Sequence, residues 1–137
     1  IAGRDPSKKL IEMCKFPNIE LIANPLNMDV IIQEASVYIA PTRLGSGLKL
    51  RIMDGLRNGK AILTHPTSAR GYDLFHDKNY FRQYHSPKDF MEQLDYLLSK
   101  NFNPNNIKTD YQKYFSFQSG LERLNNLLKT TNKDINI

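Results

Sequence analysis

The chain has 137 residues, 40% of them apolar, with 19 lysines and arginines against 14 acids and a formal net charge of +5. That length predicts one domain able to bury a reasonable core, and the positive balance favours anionic partners without choosing among nucleotide diphosphates, lipid headgroups and nucleic acid. The single cysteine, Cys14, excludes an internal disulfide and a cysteine zinc site and fits a reducing, cytoplasmic compartment; no apolar run approaches the roughly 18 residues of a membrane span.

In chain order the pattern alternates strand and helix, which predicts an α/β fold with a parallel sheet and helices on both faces. Ile1 to Gly3 reads as a strand, and Asp5-Pro6 as the N-cap and first-turn proline of a short helix carrying Leu10, Ile11 and Cys14 towards the core. Asn18 opens a strand over 19–23. The loop from Asn24 to Asn27 leads into a helix with Val30, Ile31 and Ala35 on its apolar side. Val37 to Ala40 is a short apolar run suited to a buried parallel strand. A glycine-rich turn then enters a helix at about Leu48 that stops at Asn58-Gly59, and the next strand begins at Lys60 and ends at Thr64. After a long connection, residues 80–84 form a more polar strand. Ser86-Pro87 start an amphipathic helix with Phe90, Met91, Leu94, Leu97 and Leu98 at helical spacing. Asn101 to Asn106 is a break, followed by a short helix near Tyr111 and a last helix from about Gln118 to Leu128. Residues 129–137 are expected to form a flexible polar tail.

The segment PTRLGSGLKLRIMDGLRNG, residues 41–59, carries the chemistry. Gly45-Ser46-Gly47 lets the backbone turn tightly and approach a ligand. The free N–H groups and positive dipole end of the following helix favour an anion there, to which Lys49 and Arg51 add charge. Asp54, about two turns down, can accept hydrogen bonds from a pair of sugar hydroxyls. Taken alone, the same features also describe a plain tight turn and a solvated helix acid.

Together with IAGRDP (1–6), NIELIA (18–23), EASVYIAPTRLGSGLKLRIMDGLRNGKAILTH (34–65) and SARGYD (68–73), this segment resembles the C-terminal, donor-binding half of nucleotide-sugar glycosyltransferases of the glycosyltransferase B (GT-B) fold. More narrowly it is similar to the bacterial group-1 type that builds surface polysaccharide. The resemblance spans residues 1–128. It implies a Rossmann-like sheet forming one half of that fold, and a donor diphosphate held by Gly45, Ser46, Gly47, Leu48 and Lys49. It also implies a ribose held by Asp54. Many members carry two glutamates separated by seven residues, and here Ser46 and Asp54 stand at those positions, so the sugar-contacting acid is replaced and the ribose acid is shortened. The implied partners are a nucleotide-sugar donor and a missing N-terminal acceptor domain that would supply the catalytic base, with peripheral association at the inner membrane face. No cofactor or metal is implied for this half.

Ligands in open α/β sheets bind at the carboxyl ends of the strands. That rule gathers Arg4, the Asn24 to Met28 loop, Arg43 to Lys49 and the Thr67 to Gly71 segment on one expected edge. Asn24 to Met28 reads as base recognition or as a turn shaped by Asn24-Pro25. Arg4 reads as a phosphate ligand or as an exposed arginine, and Arg70-Gly71 as an approach to the donor sugar or as a turn. His65, His76 and His85 have no metal-ligand spacing, and only His65, at a strand end, falls near the site. The basic residues are scattered and no RNA-recognition aromatic motif is present, so nucleic acid is not an expected partner. Tyr111, Tyr114, Phe115 and Phe117 are expected to pack the last helices.

The start at Ile1, inside a strand, is expected to reflect a piece of a larger protein. A fragment of that kind would bind donor without transferring sugar, and would self-associate through its open sheet edge and through Leu121, Leu124, Leu127 and Leu128. Two other classes fit the same residues. A non-catalytic nucleotide- or phosphosugar-binding module would explain Ser46, and a nucleotide-sugar epimerase shares the fold.

Overall fold

The computed structural model describes residues 1–134 and shows an α/β protein with parallel strands. Its backbone falls into two compact units, Ile1–Ala35 and the chain from Ser36 onward. Where the sequence suggests a single sheet, the hydrogen-bonded ladders are two, one in each unit.

In the first unit, β1 (Ala2–Gly3) pairs in parallel with β2 (Ile22–Ala23), and α1 (Lys8–Met13) connects them. The cap of α1 is Ser7, whose Oγ accepts the Leu10 N–H at 3.3 Å, and not Asp5. The reason is local. Asp5 sits at φ 45° and donates its N–H to Asn24 Oδ1 at 3.0 Å, which ties it to the strand end before the helix can begin. Asn27 caps α2 (Met28–Glu34) by accepting the Asp29 N–H at 2.9 Å. The residue α2 buries is Ile32; Val30, expected on the apolar side, is exposed. In the same way Leu10 and Cys14 are half-buried while Ile11 faces out.

The second unit holds the main core. Its sheet runs β3 (Val37–Ala40), β4 (Ala61–Thr64), β5 (Phe81–Gln83), all parallel, with Ala40 opposite Thr64 and Thr64 opposite Gln83. The central β4 is buried along its whole length, as the continuous apolar run of a parallel strand requires. α3 (Leu50–Arg57) crosses from β3 to β4, burying Ile52 and Leu56, and closes on Gly59 at φ 71°. The connection after Thr64 is structured: α4 (Pro66–Ala69) is followed by a 3-10 turn over Asp73–Phe75. α5 (Pro87–Ser99) begins on its Ser86 cap as expected, but of its apolar residues Leu97 is buried while Met91 and Leu98 are exposed.

α6 (Pro104–Phe115) is a full helix, capped by Asn103 and opened by a proline, where the sequence suggested a break to Asn106 and a short helix. Tyr114 and Phe115 join an aromatic core around Phe75, but Phe117 is exposed. α7 (Phe117–Asp134) continues past Leu128, so residues 129–134 of the expected tail are helical, and the remaining residues of that tail lie outside the described ones. Leu121, Leu124, Leu127 and Leu128 are exposed. Among the described residues no helix is long and apolar enough to cross a membrane.

Candidate functional site

The loop from Pro41 to Leu48 is exposed throughout, yet it is anchored at both ends. At the strand end, the Ala40 carbonyl accepts the His65 N–H at 3.1 Å and Thr64 Oγ1 at 3.3 Å, and Ser68 Oγ donates to the Thr42 carbonyl at 2.8 Å. At the helix end, the buried Tyr72 hydroxyl donates to the Lys49 carbonyl at 2.7 Å. Between the anchors, Gly45 at φ 101° and Gly47 at φ 75° hold backbone conformations that other residues rarely adopt. Lys49 folds back across the turn, its Nζ donating to the Ser46 carbonyl at 3.0 Å.

α3 begins at Leu50, two residues later than expected, because Lys49 is extended (φ −89°, ψ 91°) and serves as the N-cap. No side chain caps this helix, whereas Ser7, Asn27, Ser86 and Asn103 cap α1, α2, α5 and α6. The Ile52 N–H closes onto the Lys49 carbonyl at 3.1 Å, and the N–H groups of Leu50 and Arg51 are left to water or to a ligand. The five residues expected to hold a diphosphate, Gly45, Ser46, Gly47, Leu48 and Lys49, lie together on the exposed loop leading into that start.

Asp54 follows a little over one turn into α3, 43% exposed, with Oδ1 at 3.4 Å from Arg57. Burial raises the Tyr38 pKa, and the Asp54 charge raises it further. Burial and then Asp54 likewise push Tyr72 up, against a bond from the Met53 backbone. The carboxylate is thus electrostatically coupled to the tyrosine that anchors the loop. Gly71 has φ 84°, and a Cβ there would lie 2.7 Å from Leu48 Cδ1, so its place is a turn packed under the loop's last leucine. Arg43 and Arg70 are exposed. Arg4 and Asn24 belong to the first unit, at the carboxyl ends of β1 and β2; Asn24 takes φ 53° and its Oδ1 is engaged by Asp5.

His65 caps α4: its Nδ1 accepts the Thr67 N–H at 3.1 Å, so the neutral ring carries its proton on Nε2. The ring stands edge-on to Tyr84, centroids 5.8 Å apart. Burial, then the charges of Arg43, His85 and Arg70, lower its pKa below the ordinary 6.5. The unfolded chain therefore takes up the proton first on acidification. Stability from this residue is fully present above about pH 6.5 and declines as pH falls from there towards the lowered folded value. Urea melts across this window should show that decline in the midpoint, and His65→Asn, which keeps a capping oxygen, should flatten it; an unchanged slope in the variant would exclude His65 as the source. His76 pairs with Asp73 at 3.8 Å, and among the described residues no group of three His, Cys, Asp or Glu side chains could hold a metal.

Thr64, Ser68 and Tyr72 were not singled out by sequence, yet all three are fully buried and their hydroxyls anchor the loop. Their four-residue spacing was the available signal. A buried hydroxyl must find a partner, but burial is not readable from the spacing.

Sheet, loop and helix start thus define an α/β protein with an exposed glycine loop at the carboxyl end of a parallel strand. No family model, curated protein or solved structure matches the chain.

Proposed function

We propose that this chain is the donor-binding half of a nucleotide-sugar glycosyltransferase of the GT-B fold, of the bacterial group-1 type. It would hold a nucleotide-diphosphate sugar for transfer to an acceptor in surface polysaccharide or glycoconjugate synthesis. The observation that carries the reading is the uncapped start of α3 beside an exposed loop with two positive-φ glycines. A diphosphate seated there would accept the Leu50 and Arg51 N–H groups and meet the positive end of the helix. Lys49 Nζ, now on the Ser46 carbonyl, could exchange that neutral acceptor for a charged phosphate oxygen, a stronger bond.

Sugar transfer breaks the bond between the anomeric carbon and the phosphate oxygen, and the leaving diphosphate gains charge. Oriented N–H groups stabilise that charge without having to reorganise, and Lys49, once moved from the Ser46 carbonyl to the phosphate, adds to the same effect. Asp54 would accept the ribose hydroxyls, giving up its weak exposed pairing with Arg57. The acceptor and the base that deprotonates it would lie on a separate acceptor domain, in a cytoplasmic enzyme working at the membrane face. Loop residues 41–49 contain no acid, which also suits a non-catalytic nucleotide- or phosphosugar-binding module.

Uridine and guanosine diphosphates titrated into the labelled protein should shift the Gly47, Leu48, Leu50 and Arg51 amides. Shifts clustered elsewhere would move the phosphate site. In calorimetry, Asp54→Asn should weaken nucleoside diphosphate binding by about 1–3 kcal/mol, the range for a charged hydrogen bond, with little change in stability. Undiminished affinity would leave Asp54 as a surface acid.

A further inference from the structure

We propose that His65, Arg43 and Arg70 form a second oxyanion site, for a phosphate-class group, at the carboxyl edge of the three-stranded sheet. The proposal does not rest on nucleotide binding by the glycine loop. Its geometry comes from the register. Ala40, Thr64 and Gln83 lie side by side, so the residues that follow leave the sheet as one row. His65 is held in that row by its N–H on the Ala40 carbonyl, and Tyr84 by its N–H on the Thr64 carbonyl, both at 3.1 Å. Arg43 adjoins Thr42, whose carbonyl takes the Ser68 hydroxyl, and Arg70 closes the helix that contains Ser68. Two loops are thereby tied together beside the imidazole.

The charges around that ring are of one sign. Arg43, Arg70 and His85 act on it. Among the described residues neither Arg43 nor Arg70 has a hydrogen-bond or ion-pair partner. Asp89 of α5 is engaged elsewhere, accepting the His85 N–H at 2.7 Å and the Gln93 amide at 3.0 Å. With Nδ1 committed to Thr67, the imidazole offers Nε2–H as a neutral donor. Two free guanidiniums and one fixed N–H donor suit an oxyanion with several acceptor oxygens. A nucleobase or an uncharged sugar would leave the guanidiniums without counter-charge.

The test is heteronuclear NMR of the histidine rings while inorganic phosphate, then pyrophosphate, is added at constant ionic strength set with chloride. Saturable shifts of the His65 ring are expected, together with a rise in its pKa, because a bound dianion favours the imidazolium. Arg43→Gln and Arg70→Gln, both at exposed positions, should each weaken the binding roughly tenfold or more. Lys49→Gln should leave the His65 response intact even where it abolishes nucleoside diphosphate binding, which separates this site from the glycine loop. Vesicles with and without phosphatidic acid distinguish the sources: capture that inorganic phosphate competes away assigns the anion to a lipid, and phosphate shifts without capture assign it to a soluble ligand. Shifts no larger than those from chloride, or shifts indifferent to both arginine variants, would overturn the proposal.

Discussion

Phe75→Ala is expected to remove about 3–5 kcal/mol of folding stability, the range for truncating a fully buried phenylalanine. The ring has no exposed surface and lies against Tyr72, Tyr80, Phe81, Tyr114 and Phe115, stacking on the last at a centroid distance of 5.8 Å and an angle of 14°. These partners come from the segment after α4, the approach to β5, β5 itself and α6, so the cavity would lie where four segments meet and none could collapse into it alone. Typical domain stabilities are about 5–15 kcal/mol, so the loss would be a large share of the whole. Tyr72 connects this core to the loop, with its ring 6.5 Å from Phe75 and its hydroxyl on the Lys49 carbonyl. Urea unfolding should show the lower midpoint, and amide exchange at Ile52, whose N–H bonds the anchored Lys49 carbonyl, should quicken as the anchor loosens. A loss below about 1 kcal/mol would mean the aromatic core repacks around the gap.

What the sequence disclosed depended on how local the cause was. β3 and the stop of α3 at Gly59 were legible because an apolar run, and a glycine after a helical pattern, each specify backbone within a few residues. The start of α3 was not. It is delayed by Tyr72, more than twenty positions away, whose bond to Lys49 holds that residue extended. Asp5 fails as a cap for the same kind of reason, through its bond to Asn24. α6 was under-read because its buried face is sparse, with Ile107 alone fully enclosed, and aromatic residues supply the remaining packing. The glycines and Lys49 of the candidate site were visible in sequence. Its supports, Thr64, Ser68 and Tyr72, were not, since a hydroxyl reads as polar until burial limits it to nearby carbonyls. The row at the carboxyl edge, with His65 between two arginine loops, emerges only from strand register.

Gly59→Ala is expected to cost about 2–5 kcal/mol, by two mechanisms that can be separated. Gly59 adopts φ 71° at the end of α3, where a side chain adds about 1–2 kcal/mol of backbone strain. The larger obstacle is space. A Cβ would lie 2.7 Å from the Pro104 carbonyl oxygen, 2.8 Å from its Cβ and 3.0 Å from its Cα. This is the first turn of α6, and backbone cannot rotate aside as a side-chain tip can. Relief requires α6 to lift off α3, against which it packs. Gly59→Asn tests the division: asparagine tolerates the left-handed conformation, so any loss that persists in it measures the collision. Gly55→Ala supplies the contrast. Its Cβ would also come close, 2.7 Å from Ile62 Cδ1 and 2.9 Å from Tyr38 Cγ, but these are side-chain and not backbone atoms, no left-handed strain adds to the collision, and alanine gains about 1 kcal/mol over glycine inside a helix. Chemical denaturation of the three variants should therefore rank Gly59→Ala as the least stable. If Gly59→Asn recovers nearly all of the loss, the strain of the turn, and not the approach of Pro104, is what reserves this position for glycine.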